Sequence, residues 1–330
     1  MHLDALSQGR SRTSLVCERL GKETMKGMDM SGKRKLGFVG VGLMGHGLAK
    51  NLLKQGHAMT LLEHPGNQPV DDLIKMGAQT VATPKEVAAA ADVVFMCVTG
   101  SPQVEACVYG ADGLLEGLRV GGIVVDGTTA DPVSTVKVAA AVQARGGRYV
   151  DAPMTRTSQH AEDGCVNAML GGDAATIAEV RPLIEAYAEN IFIGGEVGSG
   201  HRMKLLHNYI SLGTLALLAE AYTCAGKARV DRKVLTEVLA TGGGDSVVLK
   251  RLMPFLDSGE SGSMLFSLIN AGKDLRYFTH MAEELQVGAF VGEAVHQTFV
   301  TASNVGGGEK MIPELLNILC RMHGAPLCGK

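Results

Sequence analysis

Between residues 34 and 197 the chain repeatedly sets a short, nearly unbroken apolar run beside a longer stretch whose apolar positions recur every three or four residues. Unbroken runs suit parallel strands buried on both faces, and the longer period suits helices lying against them. The first run is Leu36-Gly37-Phe38-Val39. A helical stretch follows with Leu48, Ala49, Leu52 and Leu53 on one side, stops at Gly56, and gives way to Met59-Thr60-Leu61-Leu62. The pattern then predicts helices at 70–76 and 84–90, strands at 92–98 and 122–126, an alanine-rich helix at 132–145 and a strand at 148–151. A polar, irregular stretch at 152–164 precedes a strand at 166–170, a helix at 174–188 and a strand at 191–193. Thr83 and Asp131 stand where an N-cap side chain accepts the free N–H groups of a helix start. From residue 201 only the helical period remains: about 201–228, then 232–240, 247–255, 263–284, 292–301 and 312–322.

The turn after the first strand reads Gly40-Val41-Gly42-Leu43-Met44-Gly45. In a strand–turn–helix context the first glycine allows the tight turn, and the second lets backbone approach a pyrophosphate. The third lets helix and strand pack closely, with the helix N-terminus facing the phosphate charge. Glu63, just past the second strand, stands where an acid accepts both ribose hydroxyls of NAD and repels the 2′-phosphate of NADP. Its alternative is an exposed acid at a strand end. The expected fold is an α/β Rossmann domain with a parallel sheet over 34–197. A long interdomain helix and an all-α C-terminal domain follow over 198–330, and a leader over 1–33 precedes them.

Bulk properties narrow the partners. The 330 residues are 46% hydrophobic and 20% charged with a net charge of -3, which suits a globular chain and makes nucleic acid an unexpected partner. The seven cysteines are scattered without metal-ligand spacing, so reduced thiols in a cytoplasmic protein and no metal are expected. The apolar stretch 205–219 is broken by His207, Asn208, Ser211, Gly213 and Thr214 and suits a buried helix, not a membrane span. The leader lacks the apolar core of a signal peptide. Arg10, Arg12 and Arg19 hint at a presequence, but Asp4, Glu18 and Glu23 oppose it. A disordered leader or an upstream start is expected, with Met28 or Met30 as an alternative beginning.

Four segments beyond the glycine turn carry chemistry. Val98-Thr99-Gly100-Ser101-Pro102 and Asp126-Gly127-Thr128-Thr129 each follow a strand and so lie at the carboxyl edge, where open α/β sheets bind ligands. Val98, Thr99, Ser101, Thr128 and Thr129 are candidate cofactor contacts there; ordinary turn chemistry is the competing account. In Asp151-Ala152-Pro153-Met154-Thr155-Arg156-Thr157-Ser158, Arg156 is a fork-shaped cation suited to a carboxylate, phosphate or sulfonate. A surface arginine is its alternative. Lys204, His207, Asn208 and Ser211, spaced i, i+3, i+4, i+7, share one face of an otherwise apolar helix. A buried polar stripe needs a cavity or partners. A desolvated lysine near a cofactor's positive charge can exchange protons near neutrality. A salt-bridged interdomain lysine would satisfy the spacing as well.

Together these segments resemble the β-hydroxyacid dehydrogenase family, which includes 3-hydroxyisobutyrate dehydrogenase, tartronate semialdehyde reductase and sulfolactaldehyde reductase. The similarity covers residues 35–322 and rests on three motifs: the glycine turn followed by Ala49-Lys50-Asn51-Leu52, Gly198-Ser199-Gly200 with Lys204 and Asn208, and Lys273-Asp274-Leu275. The resemblance implies that Lys204 is the catalytic acid/base and that Asn208 positions the substrate or the lysine. It also implies that Lys273 faces the cofactor cleft, and that the long helix supports a homodimer or homotetramer. Lys273 as an ion-pair partner of Asp274 is the alternative.

Two departures bear on the substrate. Many members carry D-A-P-V-S-G-G where this chain has Met154-Thr155-Arg156-Thr157. Arginine followed by Thr-Ser resembles the sulfolactaldehyde reductase branch, as does Ser211, and this places Thr155, Arg156, Thr157, His207, Asn208 and Ser211 at the substrate. His207 replaces the usual asparagine before Asn208, which adds a titratable group. The expected activity is interconversion of a small acidic hydroxy compound, carboxylate or sulfonate, and its semialdehyde, with NAD(H) preferred over NADP(H). Reduction of another carbonyl or an imine, or a non-catalytic dinucleotide-binding role, are the alternatives. Retention of Lys204, Asn208 and Lys273 argues against the last.

Overall fold

Strand β1 (Lys35–Val39) enters the glycine turn, and helix α1 (Gly45–Lys54) leads to β2 (Ala58–Leu62). The structure, a computed structural model, describes residues 33–329 except Ser263; the leader expectations lie outside the described residues. Beyond β2 come α2 (Asp71–Lys75), β3 (Gln79–Val81), α3 (Pro84–Ala90), β4 (Val93–Met96), α4 (Ser101–Tyr109), α5 (Leu114–Gly117) and β5 (Ile123–Asp126). Helix α6 (Pro132–Ala144) and β6 (Arg148–Asp151) complete the regular part. Strands β1 to β6 are all parallel in the order β3-β2-β1-β4-β5-β6. The order reverses direction between β1 and β4, which opens a crevice at the carboxyl edge beside the glycine turn.

Past β6 the sheet turns mixed. Strand β7 (Met154–Thr155), helix α7 (Ser158–Glu162) and strand β8 (Val166–Gly172) occupy the stretch expected to be irregular and the strand after it. β8 pairs antiparallel with β6 and β7, while β9 (Ala188–Gly195) pairs parallel with β8 across α8 (Ala174–Ile184). The β6–β8 connection spends its one short helix packing on α1 and supplies no full crossover, so the chain returns antiparallel. Helix α8 also ends four residues earlier than its periodicity predicts. Tyr187 is 1% exposed and sets its ring edge-on to Phe95 at 6.2 Å, which draws the chain out of the helix and into the core.

Local starts follow the sequence closely. Thr83 accepts the Glu86 N–H at 3.2 Å while the Glu86 carboxylate accepts the Thr83 N–H at 3.0 Å, a reciprocal cap worth about 1 kcal/mol. Asp131 accepts the Val133 N–H at 2.9 Å, and Pro132 occupies the first helical position. Two apolar layers cover the sheet: Phe38, Leu48, Leu52 and Val180 on one face, Val39, Val87, Val104 and Val142 on the other. Fully burying each large side chain contributes about 1.5–3 kcal/mol.

Helix α9 (Ser199–Ala228) links this sheet to α10 (Arg232–Thr241), α11 (Val247–Ser258), α12 (Leu268–Glu284), α13 (Phe290–Gly306) and α14 (Glu314–His323). Leu215, Tyr222, Phe255, Leu275 and Phe299 form their shared core. α12 begins at Leu268, later than its pattern suggests, because Ser267 caps it and bridges to Met311. Among the described residues no helix is long and apolar enough to cross a membrane.

A charged cluster fastens the glycine-turn helix. His46 lies 2.6 Å from Glu162 and 3.0 Å from Asp72, and Lys50 lies 3.1 Å from Glu162, so α1, α2 and α7 share one ionic joint. Burial alone would lower the His46 pKa, but the two carboxylates outweigh it and raise the value above 6.5. A raised histidine contributes stability that is complete below its unfolded pKa and is lost as pH rises through the folded one. Thermal stability should therefore fall with rising pH by more in the native protein than in His46→Gln. Parallel melting-temperature profiles for the two proteins would remove His46 from this joint.

Candidate active site

The glycine turn has the geometry that phosphate binding requires. Gly40 takes φ +92°, and a Cβ there would lie 2.3 Å from the Cys97 carbonyl oxygen. A Cβ on Gly45 would lie 2.1 Å from the Gly40 oxygen, so strand and helix can meet only without it. Gly42 is different: a Cβ would meet nothing within 4 Å, and the missing side chain leaves open space above the turn. No side chain caps α1 at Met44, Leu43 is exposed, and of the first-turn N–H groups that of His46 donates to the Gly42 oxygen at 3.0 Å. These features fit a dinucleotide pyrophosphate.

Glu63 is exposed and is the first residue beyond β2, where its backbone N–H bonds the Val81 oxygen at 2.8 Å. Asn67 pins the following loop to the turn, accepting from Val41 N–H at 3.2 Å and donating to Leu62 O at 2.9 Å. Val98 N–H bonds the Thr128 hydroxyl at 3.2 Å, Thr99 is exposed, and the Thr129 carbonyl accepts from Lys273 Nζ at 3.1 Å. The loops after β4 and β5 are thus tied to each other and to α12.

Lys204 donates from Nζ to the Met154 carbonyl at 2.7 Å, so α9 and the loop after β6 meet at this amine. Burial pulls its pKa below the ordinary lysine value; Asp274 opposes that shift and Lys273 reinforces it. One turn on, buried Asn208 donates to Asp274 at 2.6 Å, and its carbonyl oxygen lies 3.0 Å from His207 Nδ1. A carbonyl only accepts, so Nδ1 carries the His207 proton. Desolvation lowers the His207 pKa, the Asn208 bond opposes this, and the charges of Lys204 and Arg251 add to it. Lys273 pairs with Asp274 at 2.8 Å, as its alternative account expects, and also reaches the Thr129 carbonyl on the loop after β5. Ser211 is half-buried on the same face of α9.

The loop residues are arranged differently. Thr155 is buried, and its hydroxyl accepts from Asn167 at 3.1 Å. Thr157 caps α7, with Oγ1 2.7 Å from His160 Nδ1. Arg156 donates to the Cys165 carbonyl at 2.5 Å and pairs with Glu189 at the start of β9. Its guanidinium is committed there, and no bond joins it to the Lys204 group. Arg156 also holds φ +82°, a backbone conformation that costs a side-chain-bearing residue about 1 kcal/mol or more. Glycine would hold that conformation without this cost.

Sequence spacing missed Tyr277. Its hydroxyl accepts from Ser101 N–H at 3.2 Å, and its ring lies 5.0 Å from Lys273 Nζ. A Cβ on Gly100 would come 2.9 Å from the Tyr277 oxygen, so Gly100 lets α12 approach the start of α4. A tyrosine one turn past Lys273 was the only available signal.

A doubly wound sheet with a glycine turn at its switch point, followed by a helical second half, is the architecture of a class of dinucleotide-binding oxidoreductases. Comparison with known proteins narrows the class. Residues 35–195 match the NAD-binding domain of 6-phosphogluconate dehydrogenase, and residues 198–319 match the NAD-binding model of NADP-dependent 3-hydroxyisobutyrate dehydrogenase. The 2-(hydroxymethyl)glutarate dehydrogenase of Eubacterium barkeri is 28% identical over 300 residues, covering 89% of this chain and 98% of that one. The cytokine-like nuclear factor N-PAC of Xenopus tropicalis is 33% identical over 216 residues, 66% of this chain and 40% of its own length. The chain therefore spans less than half the length of the N-PAC relatives it matches. The 3-hydroxyisobutyrate dehydrogenase structure from Salmonella typhimurium shares the fold at a TM-score of 0.75 and 24% identity, over 86% of this chain and 99% of that one. This chain belongs to the 3-hydroxyisobutyrate dehydrogenase-like β-hydroxyacid dehydrogenase family, whose members include NAD(P)-binding oxidoreductases acting on CH–OH groups.

Proposed function

We propose that this chain interconverts a small acidic hydroxy compound and its semialdehyde, using NAD(H) in preference to NADP(H), with Lys204 as acid/base. The observation that carries this reading is the desolvated Lys204 amine, held against the Met154 carbonyl where α9 meets the sheet edge. Gly40, Gly42, Leu43, Met44 and Gly45 would hold the pyrophosphate, Glu63 the ribose, and Val98, Thr99, Thr129 and Lys273 the nicotinamide half. Bound there, the dinucleotide supplies the hydride. Lys204 protonates the developing alkoxide in reduction and, when neutral, takes the hydroxyl proton in oxidation. Asn208, fixed by Asp274, keeps the polar stripe in register. Thr155, Thr157, His207 and Ser211 line the substrate's approach.

Arg156 would anchor the remote carboxylate or sulfonate by exchanging Glu189 for it, which the exposed position of Glu189 supports. Exposed Leu206, Ile210 and Leu217 run along α9 beside this stripe and support assembly as a homodimer or homotetramer. Free thiols at all described cysteines support a cytoplasmic location.

The test is consumption of NADH and NADPH with semialdehydes bearing a carboxylate, a sulfonate or no charge. Turnover of the anionic compounds with NADH is expected. Glu63→Ser should narrow the preference between the two cofactors about fivefold, since a close charge pair in water is worth about 1 kcal/mol. Equal use of both cofactors by the native protein would remove Glu63 from ribose recognition, and indifference to substrate charge would remove the anion site.

A further inference from the structure

Asp126 and Asp151 end the neighbouring strands β5 and β6 in register with each other, and both are 0% exposed. Buried carboxylates are costly unless donors satisfy them. Each has its own set. Asp126 accepts from Thr128 N–H at 2.9 Å and from the Tyr149 hydroxyl at 2.7 Å, and the Thr128 hydroxyl in turn accepts from Val98. Asp126 therefore orders the loops after β4 and β5.

Asp151 turns to the other half of the molecule. Its two oxygens accept from Gly198 N–H at 2.7 Å and His201 N–H at 2.9 Å, both at the start of α9. A Cβ on Gly171 would lie 2.7 Å from one oxygen, and a Cβ on Gly200 would lie 2.8 Å from the other, so the fit leaves no slack. Fully buried His201 adds a second tie, with Nδ1 2.7 Å from Thr135 Oγ1 on α6. Lys204 follows His201 by one turn and bonds the carbonyl of Met154, three residues past Asp151. One carboxylate thus holds the start of the loop and the start of the helix that meet at the lysine.

Resting on the reading of Lys204 as acid/base, we propose that Asp151 is a positioning residue. Its carboxylate sets the rotation and height of α9 so that the Lys204 amine stays desolvated against the 152–157 loop. An ordinary helix cap would affect stability alone; a positioning cap changes the state of Lys204 in protein that remains folded.

Asp151→Asn tests this, because an amide of the same shape can accept from only one of the two N–H groups. The main readout is the pH dependence of Lys204 acetylation by acetic anhydride in ligand-free protein, followed by peptide mass spectrometry. The Lys204 titration is expected to move upward as the amine reaches water, whereas loss of a nearby negative charge alone would move it down. Turnover should fall about 10- to 100-fold while NADH affinity, from fluorescence titration, stays within about twofold. Thr135→Val, which loosens the second tie and leaves the carboxylate in place, should give the same pattern in smaller measure and serves if Asp151→Asn does not fold. Asp126→Asn should do the reverse, weakening NADH binding and leaving the Lys204 titration unmoved. An unmoved or lowered Lys204 titration in both Asp151→Asn and Thr135→Val overturns the proposal, as does an equal upward shift in Asp126→Asn. Undiminished turnover in Lys204→Ala would instead overturn the reading of the lysine.

Discussion

Lys204→Ala is expected to lower turnover by roughly 10²–10⁴-fold, the range that a positioned acid/base contributes. NADH affinity should change by no more than about threefold, because no pyrophosphate or ribose contact is assigned to this side chain. The pH profile gives a second signature. Reduction needs the ammonium form, so its rate should fall as pH rises through the lowered Lys204 pKa, and oxidation should gain over the same interval. The alanine variant should lose that limb in both directions. A near-native rate, or a retained limb, would assign the proton to another group.

The second large effect separates two glycines that look alike in the sequence. In Gly42→Ala the added methyl meets no protein atom within 4 Å, so folding and melting temperature should stay close to native. The same methyl would occupy the space through which backbone approaches the pyrophosphate, and a displacement of about 1 Å can cost on the order of 100-fold in affinity or rate. In Gly45→Ala the methyl falls 2.1 Å from the Gly40 oxygen, and backbone must move. Overpacking of this kind destabilises by about 1–3 kcal/mol or more, so the loss should appear first in the melting temperature. Equal melting temperatures for the two variants, or undisturbed NADH binding by Gly42→Ala, would contradict the roles assigned to the turn.

The contrast shows what the sequence could carry. Spacing identified the turn, and strand context gave it meaning, because G-x-G-x-x-G has one mechanical solution between a parallel strand and a helix. The caps at Thr83 and Asp131 were legible for the same reason: a local side chain satisfies a local N–H. The ends of α8 and α12 were not, since Tyr187 and Ser267 answer to partners distant in the chain. Strand β3 escaped notice because it is a short edge strand with little buried surface, and so shows no periodicity. Helix α4 escaped because only Val104 and Val108 mark its buried side.

The site divides along the same line. The polar stripe on α9 was visible as helical spacing; Lys204 meets a partner across the gap between the halves, and Asn208 meets Asp274 within the helical half. The commitment of Arg156 to Glu189 depends on how β7, β8 and β9 pair, which periodicity does not encode. Nor does spacing reveal that this arginine holds a left-handed backbone. Asp151 looked like the last residue of a strand, and its hold on α9 emerges only when the two halves are brought together.

The most direct measurement is a structure of the protein with NADH and a slowly reduced anionic semialdehyde bound together. The account predicts Lys204 Nζ within hydrogen-bond distance, about 2.6–3.2 Å, of the substrate's carbonyl oxygen. A carbonyl oxygen held by another donor, with Lys204 still on the Met154 carbonyl, would contradict it.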